Sequence, residues 1–166
     1  MLTGFAHAAV CVPDVEDAAR WYVDVLGLRV LSPPYEIAGA AIEEDMGELL
    51  PSPVVVKAAI VGLHGDDHVL ELIEYPRAGI PTGSEVHPGI ARHGLTHVGL
   101  VCDDIDGTRR ELEQQGVTFL TSGIAVVADL RTAWFADPWG TVFILVEKSH
   151  DDRPYWHQYG PLAPEA

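Results

Sequence analysis

Basic residues are scarce in this sequence. Its 166 residues include 10 Lys and Arg against 25 Asp and Glu, which gives a formal net charge of −15 at pH 7. A surface of this charge repels nucleic-acid phosphates and anionic membranes, so we expect neither as a partner. No apolar run is long enough to span a bilayer. Nucleophile elbows, phosphate-binding loops and dinucleotide fingerprints are also missing, which leaves a small molecule as the expected partner.

Cysteine is almost as rare, with Cys11 and Cys102 the only two. If His7 and His97 face the interior of a sheet, alternation puts Cys11 on the face of His7 and Cys102 on the face opposite to His97. The two cysteines are therefore not expected to pair. The first residues lack the basic stretch that begins a secretory signal. We expect two buried free thiols and a cytoplasmic location.

The chain contains an internal repeat. The segment 96–116 (THVGLVCDDIDGTRRELEQQG) repeats the pattern of segment 7–27 (HAAVCVPDVEDAARWYVDVLG), with His97 matching His7. Each segment predicts a strand followed by an amphipathic helix, and an aspartate precedes each helix as its N-cap. A repeat places matched residues at equivalent structural positions, so His7 and His97 are the first candidates for functional residues.

Further strands follow each predicted helix. Apolar runs bounded by Gly, Pro and Asp predict strands at 28–31, 54–62, 69–75, 117–120, 124–128, 132–136 and 142–147. Residues 36–48 fit either a short helix or an irregular segment. The chain is then one domain with two βαβββ modules, 5–75 and 95–148. A linker rich in Pro and Gly, 76–94, joins them, and a polar tail, 149–166, follows.

Four motifs together resemble the vicinal oxygen chelate superfamily, which includes glyoxalase I, methylmalonyl-CoA epimerase, extradiol dioxygenases, and the bleomycin- and fosfomycin-resistance proteins. The motifs are HxxxxVxDxxxAxxWYxxxLGL at 7–28, the strand LELIEY, the strand THVGLVCDDID and the hairpin ADPWGTVFILVE. The resemblance implies an α+β fold in which two tandem βαβββ modules form a cupped, partly open mixed sheet around a central cavity. It also implies a homodimer.

The resemblance further implies a divalent metal ion on the cavity floor, with ligands from the first and last strands of each module. Transferred by position, these ligands are His7, Glu71 and His97. Aligning LELIEY with FILVEK matches Glu71 with Ile144, so the fourth ligand position of many relatives is an isoleucine here. Two imidazoles and one carboxylate still suit iron, zinc, manganese or nickel. A relative that has lost its metal is the alternative.

Two further glutamates lie close to these positions. Glu74 is three residues beyond Glu71, and Glu147 is three residues beyond Ile144. Strand alternation therefore points both away from the predicted ligand face, and we expect solvent-facing carboxylates. Only a bulge would turn Glu147 inward.

Glu71 is the candidate for proton transfer, because isoleucine at position 144 cannot move a proton. His93 is a second candidate, as a lid residue or proton carrier shortly before His97. The candidates for a substrate pocket are Tyr75, Trp134, Phe143 and Ile144.

Two functions from different classes fit these residues. The first is a divalent-metal-dependent enzyme of the lyase, isomerase or dioxygenase type, acting on a small oxygen-rich metabolite. The second is a metal-free, drug-sequestering protein that holds an aromatic or planar compound between the two sheets, which Ile144 and the nearby tryptophans favour. Whether His7 and His97 meet within one chain or across two stays open.

Overall fold

The computed structural model describes residues 6–64, 68–78 and 94–158. Its internal contacts divide the chain into two compact units, Met1–Gly83 and Ser84–Ala166. Each unit contains one module in which a strand and a helix precede further strands, and the α+β prediction is confirmed. Most of the predicted linker, like His93, lies outside the described residues.

The first unit contains a mixed four-stranded sheet. Its elements are β1 (His7–Cys11), α1 (Val15–Asp24), β2 (Arg29–Ala38), α2 (Ala40–Met46), β3 (Val55–Gly62) and β4 (Val69–Glu74). The strand order is β1-β4-β3-β2, and β1 runs parallel to β4 while the other neighbours are antiparallel. The first and last strands of the module are thus direct neighbours.

Strand β2 is longer than the sequence predicts. It continues through Pro33 and Pro34, where we expected it to end. Its pairing with β3 shifts register between Val30 and Ser32 and again between Ser32 and Tyr35. Because β2 is an edge strand and the prolines lie within the irregular stretch, the amide hydrogens that proline lacks are not needed for the ladder.

Helix α1 packs against β2, β3 and β4 on one face of this sheet. The Asp14 side chain caps it by accepting a hydrogen bond from the Asp17 N–H at 2.8 Å. One helical stripe is buried, consisting of Val15, Ala18, Ala19 and Tyr22. The chain turns away after the helix at Gly27, whose φ of 68° favours glycine.

Helix α2 lies on the opposite face, which we call the open face of the first unit. Ile42 packs there with Val54 and Val56, and the cluster also includes Ile37, Met46, Leu50, Ile73 and Tyr75. The Glu43 carboxylate accepts a hydrogen bond from the Val54 N–H at 2.6 Å. The ambiguous segment 36–48 thus contains a helix, and the described residues of the second unit have no counterpart of it.

The second unit repeats the arrangement. Its elements are β5 (Val98–Cys102), α3 (Ile105–Gln114), β6 (Thr118–Phe119), β7 (Ala125–Val127), β8 (Leu130–Ala136) and β9 (Val142–Lys148). The strand order is β5-β9-β8-β6, with β7 also paired to β8. As in the first unit, the first and last strands of the module are parallel neighbours. Asp104 caps α3 by accepting a hydrogen bond from the Gly107 N–H at 3.0 Å.

Glu74 is the last residue of β4 and Glu147 is the last but one of β9, and each accepts a hydrogen bond from the start of a helix. Glu74 Oε2 accepts the Val15 N–H at 3.1 Å, and Glu147 Oε2 accepts the Ile105 N–H at 2.6 Å. Their side chains are only 13% and 19% exposed. The prediction of solvent-facing carboxylates was therefore wrong. The first N–H groups of a helix lack internal partners and carry partial positive charge, which favours a carboxylate there.

Each of these carboxylates also has a basic partner. Lys57 Nζ lies 3.5 Å from Glu74 Oε1, and Arg131 Nη1 lies 3.1 Å from Glu147 Oε1. The Glu74 carboxylate, as the largest cause, raises the pKa of Lys57. Both carboxylates lie on the helix-covered faces, as strand alternation requires.

Replacing either glutamate with alanine should destabilise its unit. Glu74→Ala and Glu147→Ala each leave the N–H of a fully buried residue without its acceptor, so we expect a loss of about 1–3 kcal/mol in the free energy of unfolding. Urea titration monitored by circular dichroism measures this loss. Glu48→Ala, an exposed turn substitution, serves as the control and should stay within about 0.5 kcal/mol of the parent. Equal stabilities of all three variants would contradict the capping role.

Candidate functional site

The first unit brings His7 and Glu71 together. His7 begins β1, Glu71 lies on β4, and the strand register pairs Ala9 with Glu71. His7 Nε2 lies 3.1 Å from Glu71 Oε2, with the two side chains 47% and 20% exposed. Both lie on the open face, because Ile73, two residues beyond Glu71, packs in the α2 cluster. An imidazole and a half-buried carboxylate thus meet at the surface of this sheet.

The geometry of this pair fits two neighbouring ligands of a metal ion. Bonds from a divalent metal to His nitrogen or carboxylate oxygen are about 2.0–2.2 Å long, so two ligand atoms at a right angle lie about 3 Å apart. The observed separation of 3.1 Å equally fits a direct hydrogen bond between the two side chains. The donor set can therefore hold a cation or exchange a proton.

His97 lies in the second unit, directly before β5. Its ring packs edge-on against Trp134, with the ring centroids 4.8 Å apart and an interplanar angle of 70°. Its Nδ1 lies 2.7 Å from the Thr96 hydroxyl oxygen. When this hydroxyl accepts the Nδ1 proton, Nε2 keeps its lone pair for a metal ion or a substrate proton. The contacts of the His97 ring are thus compatible with the role of a ligand.

The strand registers place Ile144 where the first unit has Glu71. Ala9 follows His7 by two residues and pairs with Glu71, while Gly99 follows His97 by two residues and pairs with Ile144. On its other side Ile144 pairs with Trp134. The position of the carboxylate in one unit is therefore apolar in the other, with an aromatic neighbour.

Neither unit by itself contains, among its described residues, a group of three or more His, Cys, Asp or Glu side chains that could hold a metal ion. Of the three residues proposed as ligands, the structure brings His7 and Glu71 together within the first unit. His97 belongs to the second unit. The three-ligand set stays a prediction.

The four residues expected to line a pocket have different surroundings. Tyr75 lies half-buried in the α2 cluster, and burial, followed by the charges of Cys11 and Glu71, raises the pKa of its phenol. Trp134 and Ile144 are half-buried neighbours on the face opposite α3.

Phe143 requires a correction. It is fully buried and stacks on Phe135, with ring centroids 5.2 Å apart and an interplanar angle of 14°. One step along the strand from Ile144, it points to the face on which Glu147 caps α3. Phe143 is therefore a core residue under the helix and does not line a pocket.

The cysteines are less buried than we expected. Cys11 is exposed and Cys102 is half-buried, and both are free thiols. Cys11 shares the open face with His7 and Glu71, since its strand partner is Ile73. Burial is the largest cause that raises the pKa of each thiol. At Cys102 the neighbouring carboxylates raise it further, while a hydrogen bond with Thr108 lowers it.

Helix α2 is the part of the site that sequence reasoning did not assign. Its residues Ile42 and Met46 pack against the same cluster as Ile73 and Tyr75, which follow Glu71 along the chain. Their spacing of four residues is that of one helical face, and this spacing was the available signal. The segment was too short for the pattern to exclude an irregular structure.

The chain belongs to the glyoxalase/bleomycin resistance protein/dioxygenase superfamily, whose family model matches residues 4–145. No curated protein matches the chain. No helix among the residues that the structure describes is long and apolar enough to cross a membrane.

Solved structures share this fold. A glyoxalase family protein from Bacillus cereus is 16% identical, with a TM-score of 0.73 over 89% of this chain and 95% of that chain. Glyoxalase I from Leishmania major is 16% identical, with a TM-score of 0.59 over 88% of this chain and 87% of its own. An antibiotic-binding protein from Streptomyces sp. CB03234 is 23% identical, with a TM-score of 0.59 over 89% of this chain and 98% of its own.

The raised pKa values predict slow thiol chemistry. Because only the thiolate is the nucleophile, a raised pKa leaves less of it at a given pH, so Cys11 and Cys102 should react with iodoacetamide more slowly than free cysteine at about pH 8. The difference should narrow as the pH rises through the raised pKa values. Mass spectrometry of the parent, Cys11→Ser and Cys102→Ser proteins measures each rate. A thiol that reacts faster than free cysteine would contradict the prediction.

Proposed function

We propose that the protein is a divalent-metal-dependent enzyme of the lyase, isomerase or dioxygenase type, which acts on a small oxygen-rich metabolite. The observation that carries the proposal is the 3.1 Å contact between His7 and Glu71 on the open face of the first unit. His97 is the third proposed ligand, because the repeat matches it with His7 and its Nδ1 has a hydroxyl partner. Iron, zinc, manganese and nickel suit such a set.

Each residue has a separate role in the proposed chemistry. His7, Glu71 and His97 would hold the divalent ion, which would supply Lewis acidity toward a carbonyl or hydroxyl group of the substrate. The Glu71 carboxylate takes a proton from the substrate or returns one to it. Ile144 cannot act as a second base, so the proposed mechanism uses one carboxylate.

A second candidate function is metal-free binding of an aromatic or planar compound, as in drug sequestration. The observation that favours it is the contact of His97 with Trp134, next to Ile144. Aromatic side chains bind planar ligands by stacking or by edge-to-face contacts. One of the structural relatives is an antibiotic-binding protein, which is compatible with this alternative.

The homodimer and the cytoplasmic location implied at the outset stay predictions. Light scattering coupled to size-exclusion chromatography measures the assembly directly.

Metal content is the most direct test of the proposed site. Protein purified without chelator should contain close to one equivalent of iron, zinc, manganese or nickel per chain, measured by elemental analysis. His7→Ala, Glu71→Gln and His97→Ala should each lose at least about tenfold in metal affinity, because each removes one of three ligands. His64→Ala, which removes an exposed loop histidine, should retain the metal.

The outcomes separate the two candidate functions. Full metal occupancy in His97→Ala would exclude the three-ligand set. An absence of metal, with none acquired on titration, would favour the binding protein, and quenching of tryptophan fluorescence by aromatic compounds would then be the next measurement.

Restoring a carboxylate at the fourth position should strengthen the metal site. Ile144→Glu places a carboxylate at the strand position that Glu71 occupies in the first unit, so we expect metal affinity to rise by about tenfold or more. Without metal, this variant should be less stable than the parent, because a half-buried carboxylate loses hydration. Metal titration followed by thermal unfolding measures both effects. Val101→Glu, an exposed substitution on a neighbouring strand, is the control and should change neither.

A further inference from the structure

The main chain at Trp134 is held by the segment that follows β6. Phe119, the last residue of β6, pairs with Phe135. The next step of this antiparallel ladder brings Leu120 opposite Trp134, and the Leu120 N–H donates to the Trp134 carbonyl at 2.7 Å. The Trp134 N–H donates to the Thr121 hydroxyl oxygen at 3.2 Å, where a regular ladder would use a backbone carbonyl. A side chain thus provides the second hydrogen bond of this pair.

The Thr121 hydroxyl is held in one orientation. Its proton is donated to the Gly123 carbonyl at 3.2 Å, which leaves the oxygen lone pairs for the Trp134 N–H. The Thr121 carbonyl accepts a hydrogen bond from Arg109 Nη2 at 3.0 Å. Arg109 belongs to α3, and its side chain is only 15% exposed. Helix α3 therefore holds the segment that holds Trp134.

The Arg109 side chain has two further contacts. Its Nε donates to Glu113 Oε1 at 2.9 Å, and its guanidinium group lies 4.5 Å from the centroid of the Phe119 ring. A planar guanidinium with contacts on its edge and on its face has little freedom to move. The hydrogen bond to Thr121 thus starts from a fixed donor.

The orientation of His97 depends on side-chain contacts. His97 is exposed and precedes β5, whose pairing with β9 begins at Val98. Neither strand pairing nor burial therefore fixes its ring. The ring has a hydroxyl neighbour in Thr96 and an aromatic neighbour in Trp134. Of these two neighbours, Trp134 belongs to the sheet.

The first unit holds its matched histidine with a carboxylate, since His7 contacts Glu71. In the second unit Ile144 stands at the position of Glu71 and has no polar atom to offer. Trp134 is the strand partner of Ile144, and its ring contacts His97. The indole therefore takes the orienting role that the carboxylate has in the first unit.

We propose that Thr121 is a positioning residue for His97 and acts through Trp134. Its hydroxyl fixes the Trp134 backbone, and the backbone sets the direction of the indole side chain. The indole in turn limits rotation of the imidazole, so that Nε2 points in a narrow range of directions. The inference rests on the proposed function, because it gives Nε2 the role of a ligand atom. The orientation itself needs no metal ion.

NMR of chelator-treated protein tests the orientation, because the ring current of an indole shifts the resonance of a proton beside it. His97→Ala assigns the His97 Hε1 resonance. Thr121→Val removes the hydroxyl from a side chain of similar shape, and we expect the His97 resonance to move toward that of the exposed His64. Thr121→Ser keeps the hydroxyl and should restore the position seen in the parent protein.

Two controls separate positioning from stability. Thr118→Val removes an exposed hydroxyl from β6 and should leave the His97 resonance in place. Glu147→Ala, which should destabilise the same unit from the helix-covered face, should also leave it in place. A shift in Glu147→Ala as large as the shift in Thr121→Val would overturn the positioning role.

A double-mutant cycle tests whether Thr121 acts through Trp134. Trp134→Leu removes the indole and should itself move the His97 resonance. In this background Thr121→Val should cause no further shift, because the ring through which it acts is gone. Equal shifts from Thr121→Val in the two backgrounds would overturn the inference.

Zinc titration of the same variants separates the inference from the proposed function. Trp134→Leu should weaken zinc binding by about tenfold, as the loss of a partner that orients a ligand does, and Thr121→Val should weaken it by a smaller factor. Zinc binding by the parent, with an unmoved His97 resonance in Thr121→Val, would overturn the inference and leave the proposed site in place. The expected shift in a protein that binds no divalent metal would support the orienting role and contradict the proposed metal site.

Discussion

The parallel pairing of the first and last strands of each module is the constraint on which the rest of the structure depends. Because side chains alternate along a strand, the register of β1 against β4, and of β5 against β9, decides which residues share a face. A shift of one residue would move Glu71 under α1 and bring Leu72 to the open face. The site and the core are therefore set by the same few backbone hydrogen bonds.

A glutamate near the end of each last strand connects the sheet with the helix that covers it. Glu74 and Glu147 accept the N–H groups of Val15 and Ile105, both of which are fully buried. Since a buried N–H without a partner is costly, these carboxylates link strand register to helix position. Acidic residues close to the candidate site thus have a structural role, which separates them from Glu71 on the other face of the sheet.

The two modules have the same arrangement of strands and helix, but they differ in the side chains on the face opposite the helix. In the first module the face opposite the helix has the His7–Glu71 pair, and α2 covers part of it. In the second, the matched histidine contacts Trp134, next to Ile144. A matched histidine in both modules, with Glu71 in the first and Ile144 in the second, is compatible with the proposed metal site and with an aromatic binding surface.

The sequence by itself determined the two modules, the match of His7 with His97 and the match of Glu71 with Ile144. These features depend on local pattern and on repetition, which one chain shows without any tertiary contact. The tertiary structure alone decided that β2 continues through Pro33 and Pro34, because an edge strand with irregular pairing tolerates them. It also decided that Phe143 is buried under α3 while Trp134 meets His97, and that Glu74 and Glu147 cap helices. Each of these outcomes depends on contacts between residues far apart in the chain, and local periodicity contains no information about such partners.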